Sequence, residues 1–401
     1  MRVGPRARSR RNLGAGNPSR SRALQPALAA LLGVLAFAVV VGPNILDTAN
    51  IAWMSSGDLA QHYLGWSFFR NAPWLVPPGA NPDFGLEIGS SIFFADIIPL
   101  FGLTFKALGA PATGPFQYHG LWVLLCFALQ GTFGFLLVSQ VTSDARLRWI
   151  GTGFFLFTPA FLWRLHGHFA LVGHWLILAA LWLSVSAPGR RQRAWPILTA
   201  LAALVQSYFL VMVLALWAAD LARRLWLRRS GVAGTTVDVL LVLGSSVACL
   251  WLSGFFMVRD GLAAGGFGFY RMDLLSPVDS SGWSYVLPDI SEGAGAYEGF
   301  NFLGLGTLLL LASAVAGRSS PRIPAAFLPL TLVLCGMGLF ALSNHIGLPG
   351  SWEMVIPLPA VIERGAGVLR SSGRMFWPIS YVIVLGAMLL VVRRFGPRRA
   401  V

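Results

Sequence analysis

Charge is scarce in this chain: Asp, Glu, Lys and Arg make up 11% of its 401 residues, where a soluble domain carries about 25%. Together with 56% hydrophobic residues and 15 tryptophans, that scarcity excludes an ordinary water-soluble globule. Lysine is nearly missing, with Lys106 alone beside 29 arginines. Cysteine is limited to Cys126, Cys249 and Cys335, all inside apolar segments and without a C-x-x-C spacing. Neither a disulfide framework nor a cysteine-based zinc site is implied. A Walker A sequence is also missing. The nearest glycine pattern, Gly293-Ala-Gly295-Ala-Tyr-Glu-Gly299, lacks the strand and helix of a dinucleotide site.

What the chain does have is a net charge of +14 and a series of long apolar runs. The arginines stand in short clusters between those runs, whereas a nucleic-acid binder needs a continuous basic face. The charge therefore reads as membrane topology, and nucleic acid is not expected as a partner. Residues 1–22 hold seven arginines among Gly, Pro, Ser and Asn and read as a disordered basic cytoplasmic tail. The run 24–43 follows as an uncleaved signal anchor, long enough to span and without an A-x-A cleavage site. Further runs occupy 90–109, 118–140, 147–163, 168–187, 195–224, 236–257, 300–317, 324–343 and 375–392.

Simple alternation across these runs puts several arginine clusters outside. Two changes repair it. The segment 90–109, which carries Asp96, Pro99 and Lys106, becomes a re-entrant or interfacial helix, and 195–224 becomes two short spans that turn back outside. The clusters at 146/148, 190–193, 223–229, 318/322 and 393–399 then all face the cytoplasm, as do both termini. The expected fold is an all-α, polytopic transmembrane bundle of about ten spans, with 23–401 forming one membrane-embedded domain. Its external loops are 44–89, 258–299 and 344–374. Asp144, Asp220 and Asp238 fall near the cytoplasmic side and the other acidic residues near the external side. Carboxylates are weak topology determinants, so this asymmetry points to function on the outer face. The abundance of Arg, Ala and Gly with so little Lys suggests a GC-rich bacterial genome, hence the inner (cytoplasmic) membrane.

The richest segment is Gly57-Asp58-Leu-Ala-Gln61-His62-Tyr-Leu-Gly-Trp66-Ser-Phe-Phe-Arg70-Asn-Ala-Pro73-Trp74. On a helix Asp58, Gln61, His62 and Gly65 share one face, while Tyr63, Trp66 and Trp74 suit the membrane interface. An acidic turn, Asn81-Pro-Asp83-Phe-Gly-Leu-Glu87-Ile-Gly89, leads from there to Asp96 and Pro99. This order of a carboxylate after the first span, an interfacial helix, a Pro/Gly turn and a proline-bearing apolar helix resembles the GT-C superfamily of integral-membrane glycosyltransferases. Within that class it looks closest to an uncharacterised bacterial branch. The resemblance implies sugar transfer from a polyprenyl-phosphate donor to a glycan, lipid or protein acceptor. It also implies that Asp58 activates the acceptor or binds a metal, magnesium or manganese, at the donor phosphate. Neither a D-x-D nor an E-D pair adjoins Asp58, which leaves Asp83, Glu87 or Asp96 as the second carboxylate and Asp83 as the partner in any metal site.

That chemistry needs a base for the acceptor proton and cations for the departing phosphate. External arginines run against the positive-inside trend, so Arg370 and Arg374, flanking a Ser-Ser-Gly turn, are expected to bind the donor phosphate, followed by Arg271 and Arg70. His62, Glu87, Asp96, His166, His168 and Tyr270 are expected to line the substrate cavity. The histidines 166, 168 and 174 do not share a helical face and read mainly as interfacial. The acidic residues of 258–299, Glu298 among them, read as solvated surface. Two other classes compete: a transporter or flippase of lipid-linked sugars, supported by the re-entrant and split segments, and a noncatalytic membrane assembly protein.

Overall fold

The computed structural model describes residues 18–85, 89–186, 193–258, 265–290, 295–316, 323–348 and 352–396. The chain is mainly helical. In order, α1 is Pro18–Val40, α2 Gly57–Asn71, α3 Pro99–Ala107, α4 His119–Val138, α5 Ala145–Leu156, α6 Pro159–Trp163 and α7 Trp175–Val185. Then come α8 Ala194–Val205, α9 Ser207–Trp226, α10 Val232–Leu252, α11 Leu305–Val315, α12 Leu328–Leu342, α13 Ala360–Gly367 and α14 Trp377–Phe395. Two small antiparallel pairs qualify the all-α expectation. Strand β1 (Ala80–Asn81) pairs with β2 (Ser90–Ser91), and β3 (His345–Leu348) pairs with β4 (Trp352–Val355), His345 lying opposite Val355. Strand β1 and the β3–β4 pair fall in segments expected to be loops, whereas β2 opens the 90–109 segment expected to be a re-entrant or interfacial helix.

Among the described residues four helical segments are long and apolar enough to cross a bilayer: His119–Val138, Val232–Leu252, Ala325–Leu342 and Ser372–Phe395. Leu24–Val40, Phe169–Val185, Ala194–Val205 and Leu305–Val315 are apolar but shorter. The run 147–163 is divided between α5 and α6, where Pro159 removes a backbone donor and starts a new helix. The segment 90–109 contains only the nine residues of α3, about 14 Å of helix, too short to span. The run 195–224 is broken at Gln206, whose extended backbone ends α8 and whose side chain accepts from the Tyr208 amide to cap α9. Helix α1 begins at Pro18, inside the expected tail; residues 1–17 lie outside the described part.

The bundle closes around Trp122, Phe127, Phe155, Trp195, Phe209 and Trp377, all essentially without exposure. Small residues let α1 and α4 touch backbone to backbone. A Cβ at Gly33 would lie 2.1 Å from the carbonyl oxygen of Phe127, and one at Gly131 would lie 2.4 Å from that of Ala29. Gly131→Val is therefore expected to destabilise the fold by about 1–3 kcal/mol by prising the helices apart. Thermal unfolding of the detergent-solubilised protein measures this, and an unchanged midpoint would show that the pair separates freely.

At the other end of the bundle Arg224 bonds Asp220 at 3.0 Å and Asp238 at 2.6 Å. The indoles of Trp195 and Trp217 donate to the same two carboxylates. These groups tie α8, α9 and α10 together where the sequence places the cytoplasmic side. Each buried charge has a partner, as burial requires.

Candidate active site

Helix α2 is placed by its small and aromatic residues. A Cβ at Gly65 would lie 2.8 Å from the side chains of Ala95 and Ile97, so α2 lies directly on the 95–97 segment. Asn81 donates to the Gly65 carbonyl at 2.9 Å, and the Trp66 indole donates to Phe116 at 3.0 Å. The 95–98 segment is held in an unusual conformation. Asp96 has φ 53° and the β-branched Ile98 has φ 59°, left-handed values that cost non-glycine residues about 1–3 kcal/mol. Such strain persists because the Tyr118 hydroxyl holds the Ile97 carbonyl and the surrounding Trp66, Ile92 and Phe101 fix the chain. Its consequence is that Asp96 faces the same space as α2.

That space is a cavity of about 340 Å³. Asp58, Gln61 and His62 of α2 line it, with Phe93, Phe94 and Asp96 beyond the β2 pair, and His168 and Leu171 from the α6–α7 connection. Gln206, Ser207 and Tyr208 at the break before α9, Phe255 after α10, and Val368, Arg370 and Arg374 before α14 complete it. The break at Gln206 thus opens onto the cavity. Helix α9 starts at the cavity and ends at Arg223 and Arg224, and α14 starts just after Arg374 and ends at Arg393 and Arg394. At about 1.5 Å per residue, the arginine-rich ends of these helices lie roughly 30 Å from the cavity.

Within the cavity the polar groups form pairs. Asp58 sits in the first turn of α2, its side chain 54% exposed, and Oδ2 stands 3.5 Å from His168 Nδ1. The opposite ring nitrogen of His168 is 3.3 Å from Glu298 Oε1. His62 Nε2 is 3.4 Å from Asp96 Oδ2. Burial raises Asp96, but the hydrogen bond and charge of His62, with the charges of His168 and Arg374, outweigh it and hold the carboxyl below its ordinary value.

Glu298 is the hub of the site and was read from the sequence as a solvated loop residue. The structure buries it. Arg374 grips it with both Nε (3.0 Å) and Nη2 (2.8 Å), and Arg164 Nη1 donates to Oε2 at 2.8 Å. The close approach follows from glycines: a Cβ at Gly373 would stand 2.6 Å from Cα of Gly299, and Asn301 donates to the carbonyls of both at 2.9 Å. Burial pushes the Glu298 carboxyl up, yet His168, Arg374 and Arg164 together hold it well below the usual range. Burial likewise pulls Arg164 down to about 10 against the pull of Glu298, which leaves it charged at neutral pH.

The two arginines of the Arg370–Arg374 turn differ. Arg374 is buried, neutralised by Glu298 and laid over the Tyr208 ring at 4.6 Å. Arg370 is exposed and rests on the Tyr270 ring at 5.2 Å, without a carboxylate within 4.0 Å among the described residues. Tyr270 therefore supports an arginine of the cavity without lining it.

Four other expected residues lie elsewhere. Arg70 is committed to the carbonyls of Pro111 and Gly114, because α2 carries it away from its Asp58 end. Arg271 pairs with Asp273 and Glu353, which fastens the β3–β4 hairpin to the preceding loop. His166 is exposed and packs on Trp163 and Trp283. Asp83 is exposed in the turn after β1 and does not line the cavity. Glu87 lies outside the described residues. Magnesium or manganese needs several oxygen ligands at about 2.1 Å. Asp58 lines the cavity and Asp83 does not, so the structure does not bring the expected Asp58–Asp83 metal pair together there; among the described residues no group of three or more His, Cys, Asp or Glu side chains is placed to hold an ion.

Residues 30–401 match the model of DUF6311, a domain of unknown function, and the chain belongs to that family. No curated protein and no solved structure matches it.

Proposed function

We propose that this DUF6311 member is a membrane glycosyltransferase of the GT-C type, transferring a sugar from a polyprenyl-phosphate donor to a hydroxyl on a glycan, lipid or protein acceptor. One observation carries the reading: an accessible carboxylate, Asp58, and an uncommitted arginine, Arg370, line the same cavity. A base for the attacking hydroxyl and a cation for the leaving phosphate are the two groups such a displacement requires. Phe93, Phe94 and Phe255 give the cavity an apolar wall suited to the lipid side of the donor. The arginine-rich ends of α9 and α14, read with the positive-inside rule, support a cavity on the extracytoplasmic face, and the proposal takes the membrane to be a bacterial inner membrane. A bundle of about ten spans with both termini in the cytoplasm belongs to the same proposal.

Arg374 is committed to Glu298 and to the Tyr208 ring, so the phosphate falls to Arg370. The test is release of polyprenyl phosphate by purified protein offered a panel of polyprenyl-phosphate sugars with an envelope-derived acceptor mixture. Arg370→Ala is expected to raise the donor KM about 10- to 100-fold, the loss of one charge-assisted hydrogen bond of about 1.5–3 kcal/mol. No release from any donor, or a donor KM unchanged in the variant, would overturn the reading.

A further inference from the structure

His168 stands between two carboxylates, one at each ring nitrogen, and a neutral imidazole has only one N–H to offer. The two carboxylates are not equivalent. Glu298 is buried and gripped by Arg164 and Arg374, which fixes it as an anion and an acceptor. It therefore claims the Nε2 proton. Nδ1 is left with its lone pair facing Oδ2 of Asp58, 3.5 Å away, an arrangement that repels until a proton enters between them.

We infer that Asp58, His168 and Glu298 form a proton relay in which the proton removed from the acceptor hydroxyl passes through Asp58 and comes to rest on Nδ1 of His168. The inference rests on the transferase reading for the source of that proton, and on the geometry alone for its destination. In the step the acceptor O–H bond breaks, its oxygen bonds to the sugar carbon, and the sugar–phosphate bond breaks with its electron pair leaving on the phosphate. The proton crosses from the hydroxyl to Asp58 and on to His168. The product is an imidazolium donating to a carboxylate on either side, and it returns its proton to water through the cavity. Asp58 touches the acceptor, whereas His168 and Glu298 act through it as positioning residues.

The other charged and titratable groups around the ring bear on this balance. Arg374 before α14 and Arg164 after α6 oppose a charge on His168, but Glu298 stands between them and the ring. Asp96, itself paired with His62, lies close enough for its charge to be coupled to that of His168. Arg370 and Tyr208 line the same cavity, and the Tyr208 hydroxyl is engaged by the Ser371 amide at 2.8 Å. Three carboxylates thus face three arginines around the imidazole, so an added proton does not enter a site of one sign.

Two measurements test the relay. In the pH profile of transfer, His168→Gln should lower kcat about 10- to 100-fold with the donor KM retained. Its acid-side fall should also move to lower pH, because the imidazole on which the proton comes to rest is gone. A purely structural histidine would lower kcat without moving that limb, and an unmoved limb overturns the inference. Independently of any donor, nitrogen NMR of protein labelled at its six histidines, with His168 assigned from the His168→Gln spectrum, reads the tautomer directly. The neutral ring should carry its proton on Nε2, and protonation of Nδ1 should shift to lower pH in Asp58→Asn. A proton found on Nδ1 of the neutral ring, or a midpoint unmoved in Asp58→Asn, overturns the relay. If the NMR result holds while no donor is turned over, the transferase reading fails and the relay stands.

Discussion

Asp58→Asn is expected to slow sugar transfer by about 100- to 10,000-fold, the contribution of a positioned general base, with the donor KM changed by no more than about twofold. The substitution keeps the shape of the side chain and removes its charge and its ability to take a proton. Donor binding survives because the phosphate is assigned to Arg370, which belongs to the segment before α14 and not to α2. The fold survives as well. A carboxylate in the first turn of α2 interacts favourably with the helix N-terminus, worth about 0.3–1 kcal/mol, and α2 remains anchored by Gly65, Trp66 and Asn81. Steady-state kcat and KM on the same preparation decide the point. An unchanged kcat would remove Asp58 from the chemistry and leave it a helix-terminal residue.

How far the sequence could be read depended on whether a residue's partners were local. The face of α2 that joins Asp58 to His62 follows from helical spacing, and both residues line the cavity. The shortness of α3 followed from Asp96, Pro99 and Lys106, and the break at Gln206 from an interruption in one apolar run. These are statements about neighbours in the chain. Glu298 could not be read in that way. What buries it is Arg164, 134 residues earlier, and Arg374, 76 residues later, brought together by the contact between Gly299 and Gly373. A carboxylate in a Gly- and aromatic-rich loop looks solvated until its partners are known. The one signal in the sequence was indirect: arginines on the expected external side in excess of what topology explains, which called for an anion of the protein as much as for a ligand. The same reasoning erred on Arg70 and Arg271, which are satisfied by backbone carbonyls and by Asp273 and Glu353.

Glu298→Gln should cost about 3–5 kcal/mol of stability, because it leaves Arg164 and Arg374 buried with nothing to neutralise them. The amide keeps the size and shape of the side chain but offers one acceptor oxygen in place of two, so charge is lost and so is part of the grip of the two arginines. Its sign is set by the comparison between states. The Glu298 carboxyl is held well below its unfolded value, so its stabilising effect is fully present above the unfolded pKa of about 4.3. That effect is lost as the pH falls through the lower, folded value. The gap in unfolding midpoint between wild type and Glu298→Gln should therefore be constant near neutral pH and narrow below about pH 4.3. Removing a cation as well provides the control. Combining Glu298→Gln with Arg164→Met leaves one uncompensated arginine in place of two and should recover part of the lost midpoint. A single variant as stable as wild type, or a gap that widens in acid, would mean that the two arginines find other anions, and Glu298 would then be a dispensable member of the cluster.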